Sequence, residues 1–173
     1  MSTRYSFVAR GLHWLMAVLI LGLFVLGVTM HELPFSPRKL QLYSWHKWAG
    51  VTVFVLVWLR LAWRITHPPP PLPESMSPRA RFLAHAGHWS LYALMVVIPL
   101  SGWLMSSAKG VQTVWFGVVP LPDLLAKSKP AGDLLEEVHE RLNQLFMLAV
   151  LGHFVAALWH QFVIKDDLMR RMR

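Results

Sequence analysis

His139 and His153 stand 14 residues apart in the stretch 136–164, whose later part reads LNQLFMLAVLGHFVAALWHQFVI. In a helix, at about 100° and 1.5 Å per residue, that spacing stops about 40° short of four full turns and separates the two side chains by roughly 21 Å along the axis. Both imidazoles then share one face, near opposite sides of a hydrocarbon layer about 30 Å thick. Imidazole binds metal ions and carries protons near neutral pH. Ligands at two depths of one membrane helix suit two stacked metal centres, and through them the movement of electrons across the lipid.

Nine histidines occur in 173 residues, and His13 and His46 join His139 and His153 as candidate ligands. A lone core histidine usually just satisfies a hydrogen bond, but within a bilayer an ionisable side chain is costly and marks function. Depth sorts the set. His46 and His139 both open their helices on the outer side. His153 lies about 16 Å from the inner end of its helix, His13 is in the inner half of the first helix, and His88 is at a similar level on the third. The outer centre takes His46 and His139; the inner centre takes His153 with either His13 or His88. Structural zinc would want four ligands at each site. His139-Glu140-x-x-Asn143 lacks the second histidine of H-E-x-x-H, and Glu136-x-x-His139 is half of a di-iron carboxylate motif without its second copy. Two imidazoles with four macrocycle nitrogens make six-coordinate haem, and iron saturated in that way passes electrons rather than binding oxygen.

Four apolar segments must position these side chains, roughly 7–30, 45–65, 82–106 and 139–164, in a chain that is 55% hydrophobic. Each is long enough to span, and within hydrocarbon the backbone must satisfy itself, so each is a helix. The connections are short. The expected fold is all-α, an up-down-up-down four-helix transmembrane bundle forming one domain over residues 1–173. Cysteine is absent, which excludes disulfides, iron–sulfur clusters and covalent c-type haem attachment. The first apolar run is too long for a signal peptide and no small-residue cleavage site follows, so it reads as a retained helix.

The net charge of +8 does not gather into a nucleic-acid-binding face; it flanks the spans. With both termini cytoplasmic, ten cations fall inside (Arg4, Arg10, Arg60, Arg64, Arg79, Arg81, Lys165, Arg170, Arg171, Arg173) and seven outside, in keeping with the positive-inside rule. Arg60 and Arg64 are placed to snorkel to inner headgroups. Ser6 and Ser77-Pro78 are helix starts, and Pro34 and Pro37 stop the first helix. Five prolines between residues 67 and 73 make a semi-rigid connector. Gly11, Gly22 and Gly27 leave room for close approach of a helix or flat cofactor. Pro99 and Gly102 predict a kink. The long loop from 107 to about 136 carries Trp115 and Phe116, which resemble an interfacial aromatic belt. Asp133, Glu136 and Glu137 read as a helix start complementing the macrodipole.

Tyr5-Ser6 before His13-Trp14, then His46-Lys47-x-x-Gly50, His88-x-x-x-Tyr92, Pro99-x-x-Gly102 and the His139/His153 pair together resemble the bacterial cytochrome b561 family, small di-haem four-helix membrane proteins that are similar also to the cytochrome b subunits of nickel–iron hydrogenases. The resemblance runs essentially the length of the chain. It implies two b haems, His13 with His153 on the inner one and His46 with His139 on the outer. It also implies residence in the bacterial inner membrane and oxidation of superoxide at the periplasmic face, with electrons passed to ubiquinone. An outer rim of Lys39, Lys47, Lys109, Lys127, Lys129 and Arg141 would concentrate a small anion, although Glu136, Glu137 and Glu140 oppose that field. His160 is two turns past His153, so His160 and His88 are candidates to flank a quinone headgroup, with Arg79, Arg81 and His85 as further ones. Two other readings predict different behaviour. A membrane-anchor subunit would be reduced only through a periplasmic redox partner, and a histidine-based metal-ion transporter would show no haem bands.

Overall fold

Each of the four long helices begins on a serine whose hydroxyl accepts the orphan amide three residues on. Ser6 caps α1 (Phe7–Glu32), Ser36 caps α2 (Pro37–Thr66), Ser77 caps α3 (Pro78–Ala108) and Ser128 caps α4 (Lys129–Trp159), each cap worth about 1 kcal/mol. Proline follows within two residues in α2, α3 and α4, where its missing amide costs nothing. These are the elements of a computed structural model that describes residues 4–166 and 168–172; Arg173, counted above among the inner cations, lies outside the described residues.

The helices run beyond the apolar segments. α2 starts at Pro37 and α4 at Lys129, so His46 and His139 sit well inside their helices rather than at the openings. The added turns are polar because they stand proud of the hydrocarbon, and a hydropathy window cannot see them. For the same reason Asp133, Glu136 and Glu137 do not form the first turn of α4; none of that turn is acidic, and all three carboxylates make ion pairs instead.

Neighbours in sequence pack as antiparallel pairs, α1 on α2, α2 on α3 and α3 on α4, and α1 meets α4 through Phe24 against Phe146 at 5.7 Å between ring centres. The bundle is thereby closed. Its core is a layer drawn from every helix, Met16 and Ile20, Val53 and Val57, Tyr92 and Ile98, and Phe146, with Val57 fully buried. Large apolar side chains such as Val18, Val25, Trp58, Leu59, Leu148 and Phe154 point outward. All four helices are long and apolar enough to cross a membrane, so this outward belt faces lipid, and the bundle is held by close packing rather than by escape from water.

One end of the bundle holds both termini and the 67–77 connector. There Trp63 Nε1 donates to Ser6 Oγ, Trp14 Nε1 to the Met172 carbonyl, and Arg171 Nη1 to the Pro71 carbonyl. After α4 a π-helical turn, α5 (His160–Ile164), closes on Lys165 in the left-handed region, and a 3₁₀ turn, α6 (Leu168–Met172), follows. The opposite end carries a feature the sequence reading did not foresee, a two-residue-per-strand hairpin of β1 (Val114–Trp115) and β2 (Val119–Pro120). Phe116 and Gly117 both have positive φ, the geometry of a type I′ turn. Trp48 Nε1 donates to the Val114 carbonyl and Trp115 Nε1 to Thr52 Oγ1, so both indoles are tethers between the hairpin and α2.

Candidate functional site

The backbone brings the histidines together in facing pairs. Toward the hairpin end, His46 of α2 faces His139 of α4 with ring centres 6.4 Å apart and planes at 79°. Toward the terminal end, His13 of α1 faces His153 of α4 at 6.2 Å and 77°. His88 of α3 also reaches His153, but more closely, at 5.4 Å. The shared face of α4 inferred from the 14-residue spacing is therefore real, and it looks into the bundle at both levels.

These separations test whether a six-coordinate iron fits. With metal–nitrogen bonds of about 2 Å on each side and about 1.1 Å from nitrogen to ring centre, two imidazoles on one iron would have centres about 6.2 Å apart. His46/His139 and His13/His153 have that spacing; His88/His153 is too close to admit an iron between the rings. The residues fit the group. Among the described residues no three His, Asp or Glu side chains gather as a metal-ion cage.

The surroundings of the hairpin-end pair favour ligation. Ser101 Oγ donates to the Ile98 carbonyl at 2.8 Å and lies 2.9 Å from His139 Nδ1. Its one proton is committed to that carbonyl, so Nδ1–H must donate to it, which leaves the Nε2 lone pair for a metal. Gly102 brings α3 against the same ring: a Cβ there would lie 3.1 Å from His139 Cε1. Across the site a Cβ on Gly27 would lie 3.4 Å from His46 Cε1. Gly11 and Gly22 have open space around their missing Cβ, so of the three α1 glycines only Gly27 makes room for a site residue. His46 Nδ1 is buried with no hydrogen-bond partner among the described residues. Both rings open onto a narrow cleft lined from all four helices by Phe24, Gly50, Met95, Pro99, Asn143 and Phe146 among others. Phe146, 5% exposed, lies midway along α4 between His139 and His153.

The basic side chains toward the hairpin end are mostly engaged. Lys109 Nζ pairs with Glu136 at 2.6 Å, Lys129 with Asp133 at 2.6 Å and Arg141 with Glu137 at 3.9 Å. Lys39 caps the end of α1, donating to the His31 and Leu33 carbonyls. Lys127 lays its stem against Gly110. Lys47 alone of these adjoins one of the paired histidines in sequence; its ammonium donates to Ser106 Oγ at 2.6 Å and the Val111 carbonyl at 3.1 Å, both neutral.

At the terminal end His160 Nδ1 pairs with Asp166 Oδ2 at 2.5 Å, while Asp166 Oδ1 accepts from the Leu168 amide. Asp166 went unnoticed in the sequence because the π turn and the left-handed Lys165, which fold it back, have no obvious signature. Among the described residues no ring contact joins His160 to His88. Arg81 donates to the Pro73 and Glu74 carbonyls and so fixes the connector. Arg79 is exposed beside a shallow recess with Pro78, Phe82 and Leu83, and His85 is exposed.

Four membrane-length helices that enclose facing imidazole pairs at two levels define an integral-membrane bundle of the cytochrome b class. The sequence pattern of the prokaryotic cytochrome b561 family matches residues 4–173, and the chain belongs to that family. It is 35% identical over 171 residues to cytochrome b561 homolog 2 of Escherichia coli (strain K12), covering 98% of this chain and 90% of the relative. It is 29% identical over 176 residues to the probable superoxide oxidase CybB of Yersinia pestis, covering 99% and 97%. Cytochrome b562 of Cereibacter sphaeroides is 28% identical over 167 residues, covering 93% and 89%. The protein is thus a multi-pass inner-membrane redox protein whose family binds b-type haem and transfers electrons in the membrane.

Proposed function

We propose that the whole chain is one domain holding two b haems, His46 with His139 toward the hairpin end and His13 with His153 toward the terminal end. In this reading it oxidises superoxide at the periplasmic face and reduces ubiquinone, with both termini cytoplasmic. The observation that carries the ligand assignment is the pair of ring separations, 6.4 and 6.2 Å, each equal to the spacing an axially ligated iron needs. When bound, the haems supply the one-electron carriers. The polypeptide supplies the imidazoles, the hydrogen bond that fixes one of them, and a packed aromatic layer between the two levels.

The electrons balance simply. Two superoxide anions each release one electron and leave as dioxygen; the quinone takes two electrons and two protons. Lys47 beside the hairpin-end pair donates to neutral partners only, so no bonded carboxylate offsets its ammonium, which suits attraction of a small anion. His160, held by Asp166, is placed to hand on a proton near the opposite surface. The similarity to a probable superoxide oxidase supports the same substrate. Purified protein given a steady superoxide source and a quinone analogue should show haem reduction, then one quinol for two superoxide consumed. Haems that dithionite reduces and superoxide does not would reject the enzyme.

The ion pairs at Lys109, Lys129 and Arg141 favour a second reading, since paired cations attract an anion weakly. There the protein is a membrane anchor passing electrons between a periplasmic redox protein and the quinone pool. Reduction that depends on a co-purifying soluble partner would select it.

The bond between Ser101 and His139 yields its own expectation. Ser101→Ala removes the acceptor that fixes the imidazole tautomer and should weaken haem at the hairpin-end site by about 10–100-fold. The terminal-half haem should stay as tightly bound as before. Competition with a haem-scavenging apoprotein measures both.

A further inference from the structure

α2 carries two arginines inside its membrane span, and both side chains lie against aromatic rings of α3. Arg60 lies more than a turn before the end of the helix and turns inward. Its Nε donates to Tyr92 Oη at 2.9 Å, and its guanidinium carbon is 5.8 Å from the centre of that ring. Tyr92 is buried, 8% exposed, so the hydrogen bond fixes the guanidinium against the core. Arg64 stands one turn on, 5.9 Å from the ring centres of both Trp89 and Tyr92. Tyr92 stands one turn past His88 on α3, and the His88 ring lies 5.4 Å from that of His153, so the bond to Tyr92 holds Arg60 near the level of the terminal-end pair. Among the described residues no carboxylate lies within 4.0 Å of either guanidinium.

A guanidinium inside a membrane protein is costly unless an anion answers it, and aromatic faces orient a cation without neutralising it. The missing partner must be an oxyanion, and guanidinium suits one that accepts two hydrogen bonds side by side. Two sources have that chemistry at this depth, a carboxylate side chain of the porphyrin and the phosphate of a lipid headgroup. The inward turn of Arg60 toward the level of His13 and His153 separates them, because a lipid phosphate lies outside the bundle.

We propose that Arg60, held by Tyr92 and reinforced by Arg64, seats a propionate of the haem bound between His13 and His153. The site rests on the ligand assignment made above, and it adds a recognition element on α2, a helix that gives no ligand at that level.

The test uses the full chain, stripped of haem in lipid nanodiscs and reloaded with haem b or with its dimethyl ester, whose carboxylates carry no charge. The terminal-half centre is identified as the component missing in His153→Ala. In the wild type, esterification should weaken that centre by about tenfold or more relative to the hairpin-end centre. In Arg60→Gln the free acid and the ester should bind within about twofold of each other, and the midpoint potential of the terminal-half haem should fall with the loss of a nearby cation. Arg60→Lys should restore part of both effects, and the hairpin-end haem in the same molecule reports folding. An ester effect that is the same in wild type and Arg60→Gln overturns the proposal. So does an Arg60→Gln protein whose terminal-half centre has lost only its sensitivity to anionic lipid, which would put a phosphate in the seat. If His153→Ala keeps every haem, the ligand assignment itself fails, and the two failures are distinct.

Discussion

Replacing His153 with alanine should cut the haem content from two per chain to about one, leave the His46/His139 spectrum intact and stop electron flow to quinone. His153 is the imidazole that every terminal-half pairing shares: His13 lies 6.2 Å from it and His88 5.4 Å. The two partners then separate by experiment. Only the longer distance leaves room for iron with bonds of about 2 Å on both sides, so His13→Ala should lose the same haem as His153→Ala. His88→Ala should retain both haems and slow quinone reduction. The hairpin-end pair is insulated from all three changes, being roughly 21 Å away along α4 with Phe24 and Phe146 packed between. Haem-to-protein ratios with a redox titration of each variant check this; loss of a haem in His88→Ala would show the pairing to be wrong.

Gly102→Val should abolish haem binding at the hairpin end. The smaller change Gly102→Ala already sets a Cβ 3.1 Å from His139 Cε1 and 3.4 Å from Nδ1, on the side where Ser101 holds the ring. The imidazole would have to give by a few tenths of an ångström, enough to loosen ligation without ending it. Valine adds two further carbons with little rotamer freedom in a helix, and the ring must leave. The sign of the stability change makes the test sharp. An interior helical Gly→Ala normally gains about 0.5–1 kcal/mol, so apo-protein carrying Gly102→Ala should melt no lower than wild type while its hairpin-end haem dissociates faster. Gly22→Ala, with open space at that position, is the matched control and should keep both haems.

The four spans and the two levels of histidine were legible because lipid imposes long apolar runs and because a helix repeats every 100°. The starts of α1 and α3 were legible too, in Ser6 and Ser77-Pro78, but those of α2 and α4 were not. Ser36-Pro37 and Ser128-Lys129-Pro130 carry cap signals, but the turns that follow are polar and lie outside the apolar windows. The hairpin escaped because its strands have two residues each, too few for an alternating pattern. Within the site, spacing on one helix could bring His139 and His153 to one face but could not choose between His13 and His88, which come from different helices at similar depth. Ser101 and Arg60 were invisible for the same reason: their partners, His139 and Tyr92, lie 38 and 32 residues away in sequence. Lys109 looked like part of an attracting rim until Glu136, 27 residues on, was found against it.

The central claim is that each facing imidazole pair holds one b haem. The most direct measurement is a spectroscopic redox titration of the purified protein with haem quantified per chain, repeated in His46→Ala and His153→Ala. Two low-spin haems titrating as two one-electron components, with a different component vanishing in each variant, is the predicted result. A protein that binds one haem, or that loses the same component in both variants, would contradict it.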